Sequence, residues 1–272
     1  MKKQILFFDI DGTLLNHKGD VNPSTKEALK KLQENGHLCF VCTGRTRCMV
    51  PKVIHQLKFD GFVYGGGTSV EYKGKNIVDF ELPYDLVVKA ATMLNKHKVS
   101  YLFEGSNYVY LEESATADPR TYFSVFVKSL GETAKVIKDY HEVRASKITM
   151  LVSRDMSKEE FLNMRDELSE DFDVIIHESM NSKVLTDGLI ELMPKGYSKA
   201  TGIHDAITHL QMGMETTIGI GDSNNDLEML AYVETAICMG NGTEKAKELA
   251  DYVTTEIDQD GIYKAMEHLG LL

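Results

Sequence analysis

Apolar and polar positions switch between two periods along the first third of the chain. Residues 4–10, QILFFDI, form an apolar run too short for a helix core, with Asp9 near its end and Asp11 just beyond it. NPSTKEALKKLQENG then carries helix punctuation. Asn22 can cap, Pro23 fits the first turn, Ala28, Leu29 and Leu32 share a face, and Gly36 can stop the helix. HLCFVCTG reads as the next strand. Thr46 to Gln56 reads as a helix whose stripe is Met49, Val50, Val53 and Ile54, running on to Leu57. FDGFVYGGG gives a third strand ending in glycines. Strands apolar on both faces in βαβαβ order point to a parallel sheet covered by helices.

Beyond about residue 83 the pattern changes. A helix near 84–96 precedes VSYLFEG and NYVYLEE, a plausible hairpin. SKITMLVS, SKEEFLNMRDEL, FDVIIHES and KVLTDGLIELM then mix strand-like and helical pieces, the signature of an α+β module with an antiparallel sheet. After Pro194 the first pattern returns: a helix over about 198–210, the strand TTIGIGD, a helix from about 225 and the strand TAICMG. The expected fold class is therefore α/β, a Rossmann-like parallel-sheet core interrupted by an inserted α+β domain. The expected boundaries are 1–83 and 189–272 for the core and 84–188 for the insertion.

Composition narrows the function classes. The chain has 272 residues, 43% of them hydrophobic and 26% charged, an ordinary globular balance. With 41 acidic and 30 basic side chains the net charge is -11, and no basic stripe of the kind nucleic acid requires is present. A small anionic substrate is still compatible, because it responds to local amides and cations more than to net charge. No segment reaches the roughly 20 apolar residues of a membrane span, and the N-terminus lacks a leader pattern. A cytoplasmic protein, monomeric or weakly dimeric, is expected. Cys39 and Cys42 have a CxxC spacing, but residues three apart on a strand face opposite ways, so buried thiols are expected rather than a metal site.

Four polar stretches stand where core strands should end: DIDGT at 9–13, TGR at 43–45, KGYSKA at 195–200 and GDSNND at 221–226. Ligands in open α/β sheets bind just beyond the carboxyl ends of strands, so the four can converge. Asp9 and Asp11 are spaced to face one way on a strand, with Asp11 able to swing free at the Gly12 turn. Asp222 holds the position equivalent to Asp9 on its own strand. Asp226 follows four residues later and can reach back. Asp9 with Asp222 makes a credible magnesium site. Thr43, Gly44 and Asn225 are candidate phosphate contacts. Lys199 lies early in a helix, where the dipole opposes a cation, a placement that a phosphoryl group would justify.

Taken together, these stretches resemble the four motifs of the haloacid dehalogenase superfamily, and more closely its Cof-type sugar-phosphatase branch, with a large cap between the second and third motifs. The resemblance implies that Asp9 is a nucleophile forming an aspartyl-phosphate, and that Asp11 is the acid and then the base. It implies Mg2+ held by Asp9, the Asp11 backbone carbonyl and Asp222, with Asp226 in support, and phosphoryl oxygens held by Thr43 and Lys199. The implied substrate is a small phosphorylated metabolite, a sugar phosphate first, with pyridoxal phosphate or flavin mononucleotide as alternatives. A phosphomutase, or a phospho-accepting or scaffold module, is the competing role. Gly65–Gly67 stands where relatives have Asn-Gly-Ala. Arg120, Arg144, His177, Asn181 and Lys183 are the conceivable substrate contacts of the cap.

Overall fold

The computed structural model describes residues 2–116, 122–152, 156–176 and 189–272. They divide into two compact units, one of Met1–Arg45, Val50–Asp79 and Tyr197–Leu272, the other of Thr46–Met49 and Phe80–Gly196.

The first unit is built on an eight-stranded sheet. Its strands are β1 (Ile5–Phe8), β2 (Leu38–Cys42), β3 (Gly61–Tyr64), β4 (Ser69–Tyr72) and β5 (Lys75–Asp79), then β12 (Thr217–Gly221), β13 (Thr235–Cys238) and β14 (Tyr252–Val253). The order is β14-β13-β12-β1-β2-β3-β4-β5, parallel as far as β3. The central register sets Phe7 beside Gly219 on one side and Phe40 on the other. Alternation along these strands builds two cores. Leu6, Phe8, Cys39, Val41 and Ile220 pack with α1 (Pro23–Glu34) and, after α8 (Glu244–Leu249), with α9 (Gly261–His268). Ile5, Phe7, Phe40 and Cys42 pack on the other face with α6 (Lys199–His209) and α7 (Leu227–Tyr232). Cys39 and Cys42 thus belong to opposite cores, and all four cysteines are free thiols.

Three local expectations differ from what forms. The helix expected over Thr46–Gln56 is a 3₁₀ turn at Arg47–Met49 followed by the four-residue α2 (Lys52–His55). Pro51 lies between them; it lacks an N–H and disfavours helical backbone at the residue before it. Asn22 precedes α1 without capping it through its side chain, because its Nδ2 donates to the Ile257 carbonyl at 2.6 Å. The sheet is mixed rather than wholly parallel: β4 and β5 add an antiparallel hairpin to β3. Its turn carries Lys73 and Gly74 at positive φ, the backbone a tight hairpin needs.

In the second unit the sheet order is β10-β11-β9-β6-β7-β8, formed by β6 (Ser100–Glu104), β7 (Val109–Leu111), β8 (Ala134–Val136), β9 (Lys147–Leu151), β10 (Phe172–Ile176) and β11 (Leu189–Pro194). All pairs are antiparallel except β7 with β8. VSYLFEG and NYVYLEE form the expected hairpin as β6 and β7. One face, with Tyr101, Phe103, Ile148, Met150 and Leu192, is covered by α3 (Tyr84–Lys96) and α5 (Lys158–Leu168). α4 (Tyr122–Leu130) contributes Phe126 and Val127 to a smaller cluster with Leu102, Val109 and Leu111. Residues 183–188 of the strand expected in KVLTDGLIELM lie outside the described residues. No helix among the described residues is long and apolar enough to cross a membrane.

Candidate active site

Because β1, β2, β12 and β13 are parallel neighbours, their carboxyl ends emerge along one edge of the sheet. Asp9 follows β1 directly and is fixed by its N–H, which donates to the Ile220 carbonyl of β12 at 2.9 Å. Asp222 follows β12. α6 brings Lys199 in its first turn, with Ser198 as the cap in a reciprocal pair with Thr201.

The buried Lys199 ammonium lies 2.6 Å from Asp9 Oδ1 and 2.5 Å from Asp226 Oδ1. Asp226 Oδ2 accepts from the backbone N–H groups of Asp222 at 2.9 Å and Ser223 at 3.0 Å, so this fully buried carboxylate ties the Asp222 turn to Lys199. Asp222 Oδ1 accepts from Thr13 Oγ1 at 3.1 Å. Carboxylate oxygens of Asp9, Asp222 and Asp226 lie within 4.8 Å of one another.

Such a cluster is electrostatically loaded. Burial, then the Asp226 carboxylate, then that of Asp222 hold the Asp9 pKa well above the usual carboxylate range, against the pull of Lys199. Asp222 is pushed up to about 7, by burial first and Asp226 second, against the Thr13 hydrogen bond and Lys199. Burial works to lower the pKa of Lys199, but Asp226 and Asp9 outweigh it and raise it. Fully ionised, three carboxylates and one ammonium would leave two negative charges in a buried space, which a divalent cation would bring to zero. The donors are all hard oxygens, the set that Mg2+ or Mn2+ takes. The residues present therefore fit such an ion.

Asp11 stands apart. Its side chain is 58% exposed, and a fork from Arg45 occupies both of its oxygens, Nε to Oδ2 at 2.7 Å and Nη2 to Oδ1 at 2.9 Å. Its carboxylate is not among the clustered three. Thr43 is buried at the end of β2, and its Oγ1 accepts from Arg45 N at 3.1 Å. The segment beyond Gly44 is not the expected helix, so Thr43 and Gly44 do not stand at a helix N-terminus. Asn225 Oδ1 accepts from Ser223 Oγ at 2.6 Å, which engages that oxygen within its own loop. Gly67, at φ +96°, passes so close to α6 that a Cβ there would lie 2.1 Å from the Ser198 carbonyl, one residue before Lys199.

Arg45 in TGR and Thr13 in DIDGT both lie within the strand-end stretches, but the local sequence gives neither a role; the structure pairs Arg45 with Asp11 and Thr13 with Asp222. In the second unit, exposed Arg144 donates to the carbonyls of His141 at 2.9 Å and Val143 at 3.3 Å. Arg120, His177, Asn181 and Lys183 lie outside the described residues. Within the first unit, a cleft of about 720 Å³ is lined by Asp11, Arg45, Asp222, Ser223 and Asn241 among others.

A largely parallel sheet with acidic loops at its strand ends, a buried lysine and an inserted α+β unit defines a class of hydrolases. The chain belongs to the haloacid dehalogenase-like hydrolases, whose family model matches residues 6–266. It is 29% identical over the full length of both chains to a candidate phosphatase, YkrA, of Bacillus subtilis (strain 168). A hypothetical protein of Geobacillus kaustophilus HTA426 superposes with a TM-score of 0.83 at 27% identity, covering 100% of each chain. The subclass IIB sugar phosphatase BT4131 superposes with a TM-score of 0.79 at 25% identity, over 99% of this chain and 100% of its own. The fold is thus that of a haloacid dehalogenase-like hydrolase with a cluster of aspartates able to hold a divalent cation, consistent with phosphatase activity.

Proposed function

We propose that the protein is a magnesium-dependent phosphatase that hydrolyses small phosphomonoesters, sugar phosphates foremost, through an aspartyl-phosphate on Asp9. The observation that carries this reading is the buried Asp9 carboxylate, 2.6 Å from Lys199 Nζ and clustered with Asp222 and Asp226. The likeness to a sugar phosphatase supports the substrate class.

Asp9 attacks phosphorus, and the bond from phosphorus to the ester oxygen breaks. Asp11 gives that oxygen a proton, then takes one from the water that attacks the acyl phosphate, so that phosphate leaves and Asp9 is restored. Both Asp11 oxygens accept from Arg45 in the resting protein, so the fork must open before Asp11 can serve as the acid. Lys199 holds the Asp9 carboxylate and, with Thr43 and Gly44, the phosphoryl oxygens; Asn225 supports the Asp222 loop, where its Oδ1 accepts from Ser223 Oγ. The ion would be held by Asp9, Asp222 and the Asp11 carbonyl with Asp226 in support, and it supplies charge neutralisation at the phosphoryl group when bound. The insertion, read from sequence as a cap over 84–188, selects among substrates. The protein works as a monomer or weak homodimer in the cytoplasm.

Phosphate release with Mg2+ from a panel of sugar phosphates, pyridoxal phosphate, flavin mononucleotide and nucleotides tests the reading. A few strong substrates are expected, all lost on chelation and in Asp9→Asn. Isomerisation of a sugar phosphate without phosphate release would mark a mutase instead. Silence across the panel from folded, Mg2+-loaded protein would overturn the phosphatase assignment.

A further inference from the structure

The clustered carboxylates come from two loops far apart in sequence, one around Asp9–Thr13 and one around Gly221–Asp226, and a third segment joins them. Met239 N donates to the Gly221 carbonyl at 2.9 Å, and Thr243 N donates to the Asp222 carbonyl at 2.8 Å. On the other side, Asn241 Nδ2 donates to the Gly12 carbonyl at 2.9 Å while its Oδ1 accepts from Ile257 N at 2.9 Å. A carbonyl can only accept and an N–H only donate, so these partners fix the amide's orientation. One short turn therefore grips a backbone carbonyl on each acidic loop, and an exposed asparagine with both amide ends engaged makes one of the two grips.

The Gly12 grip bears directly on the site. Gly12 has φ +84°, and a Cβ there would lie 2.3 Å from Asp222 Oδ2. The turn that carries Asp11 thus rides against the Asp222 carboxylate, and any shift of Gly12 is felt by both. Thr13 Oγ1, one residue on, bonds Asp222 Oδ1. Asn241 also lines the cleft that Asp11 and Asp222 share.

We propose that Asn241 is a positioning residue: by holding the Gly12 carbonyl from the turn that also holds the Asp222 carbonyl, it sets the separation of the Asp9–Asp11 loop from Asp222. It acts on the site's affinity for a divalent cation and does not touch the reacting atoms. The inference rests on the reading of Asp9 and Asp222 as cation ligands.

The test is calorimetric titration of the metal-free protein with Mg2+, without substrate, for wild type, Asn241→Asp and Asn241→Ala, with thermal unfolding of each metal-free form alongside. Asn241→Asp keeps the acceptor for Ile257 N but sets an acceptor against the Gly12 carbonyl, so it isolates that one bond. Its added carboxylate would by charge alone strengthen cation binding, so a weakening cannot come from the added charge acting on the cation. Both variants are expected to bind Mg2+ about 10-fold more weakly, as loss of a group that orients metal ligands typically does, although Asn241→Ala, which also loses the Ile257 bond, has the lower metal-free unfolding midpoint of the two. Affinities equal to wild type would overturn the inference while leaving the phosphatase reading intact. A lowered metal-free midpoint with unchanged affinity would also overturn it, reducing Asn241 to a structural link. A wild type that takes up no Mg2+ would overturn the metal reading of the site and this inference with it.

Discussion

Lys199 begins a helix, where the dipole costs a cation about 0.3–1 kcal/mol, and it is buried, which costs more. Among the described residues, the Asp9 and Asp226 carboxylates beside its ammonium offset those costs. The same balance leaves the carboxylates over-supplied. Asp222, raised to about 7 from an ordinary carboxylate value, binds a proton in the folded metal-free protein that the unfolded chain releases near pH 4. The folded state holds more protons across that window, so this group's contribution is fully present at low pH and is lost as pH rises through about 7. Metal-free protein should therefore lose part of its stability between about pH 4 and 7. Because an ion must displace that proton, Mg2+ should raise the melting temperature more at pH 8 than at pH 5. Scanning calorimetry at both pH values, with and without Mg2+, checks this; an equal Mg2+ effect at the two would count against it. At this scale the sequence was legible wherever a carboxylate or lysine ended a strand or opened a helix. Arg45 as the partner of Asp11, and Asn241 at a separation of 229 residues from Gly12, were not. Both are contacts between loops, and neither hydrophobic period nor turn chemistry encodes which loops meet.

Elements decide how accurately Lys199 is delivered. Gly202 in α6 faces β3, and a Cβ there would lie 2.4 Å from Val63 Cγ1 and 2.9 Å from Gly67 Cα. Helix propensity alone favours Gly202→Ala by about 0.8–1 kcal/mol. Overpacking opposes it by about 1–3 kcal/mol, and the second effect should win, since backbone stands on the far side. A net destabilisation in urea unfolding is expected, with reduced phosphatase activity because the displaced helix carries Lys199; a stabilised, fully active variant would sink the argument. Elements whose signal is local were the readable ones, as in α1 and the β6–β7 hairpin. Thr46–Gln56 was misread because the apolar stripe through Met49, Val53 and Ile54 has helical period, yet Pro51 breaks the ladder that the period presumes. The β4–β5 hairpin carries no such periodic signal: β4 is four residues and almost wholly buried, and β5, at the sheet edge, is mostly exposed with weak alternation.

Across the whole molecule, all three clustered carboxylates and Lys199 belong to the first unit, while the second has cores of its own around Phe103, Ile148 and Met164 and around Leu102 and Val109. Residues 80–196 expressed alone should therefore unfold cooperatively, and Mg2+ should leave their midpoint where it is. Circular dichroism melts with and without Mg2+ check both; a non-cooperative melt or an Mg2+-dependent shift would contradict the division. By itself, the sequence determined the class of fold and which carboxylates and lysine stand where core strands end and helices begin, because strand and helix periods and strand-end residues are local properties of the chain. Tertiary structure alone decided that Asp9, Asp222 and Asp226 share Lys199, that Asp11 is held by Arg45, and that Asn241 braces the Gly12 turn. Those partnerships depend on which strands become neighbours, and that is settled by packing of the two sheet faces rather than by any stretch of residues taken alone.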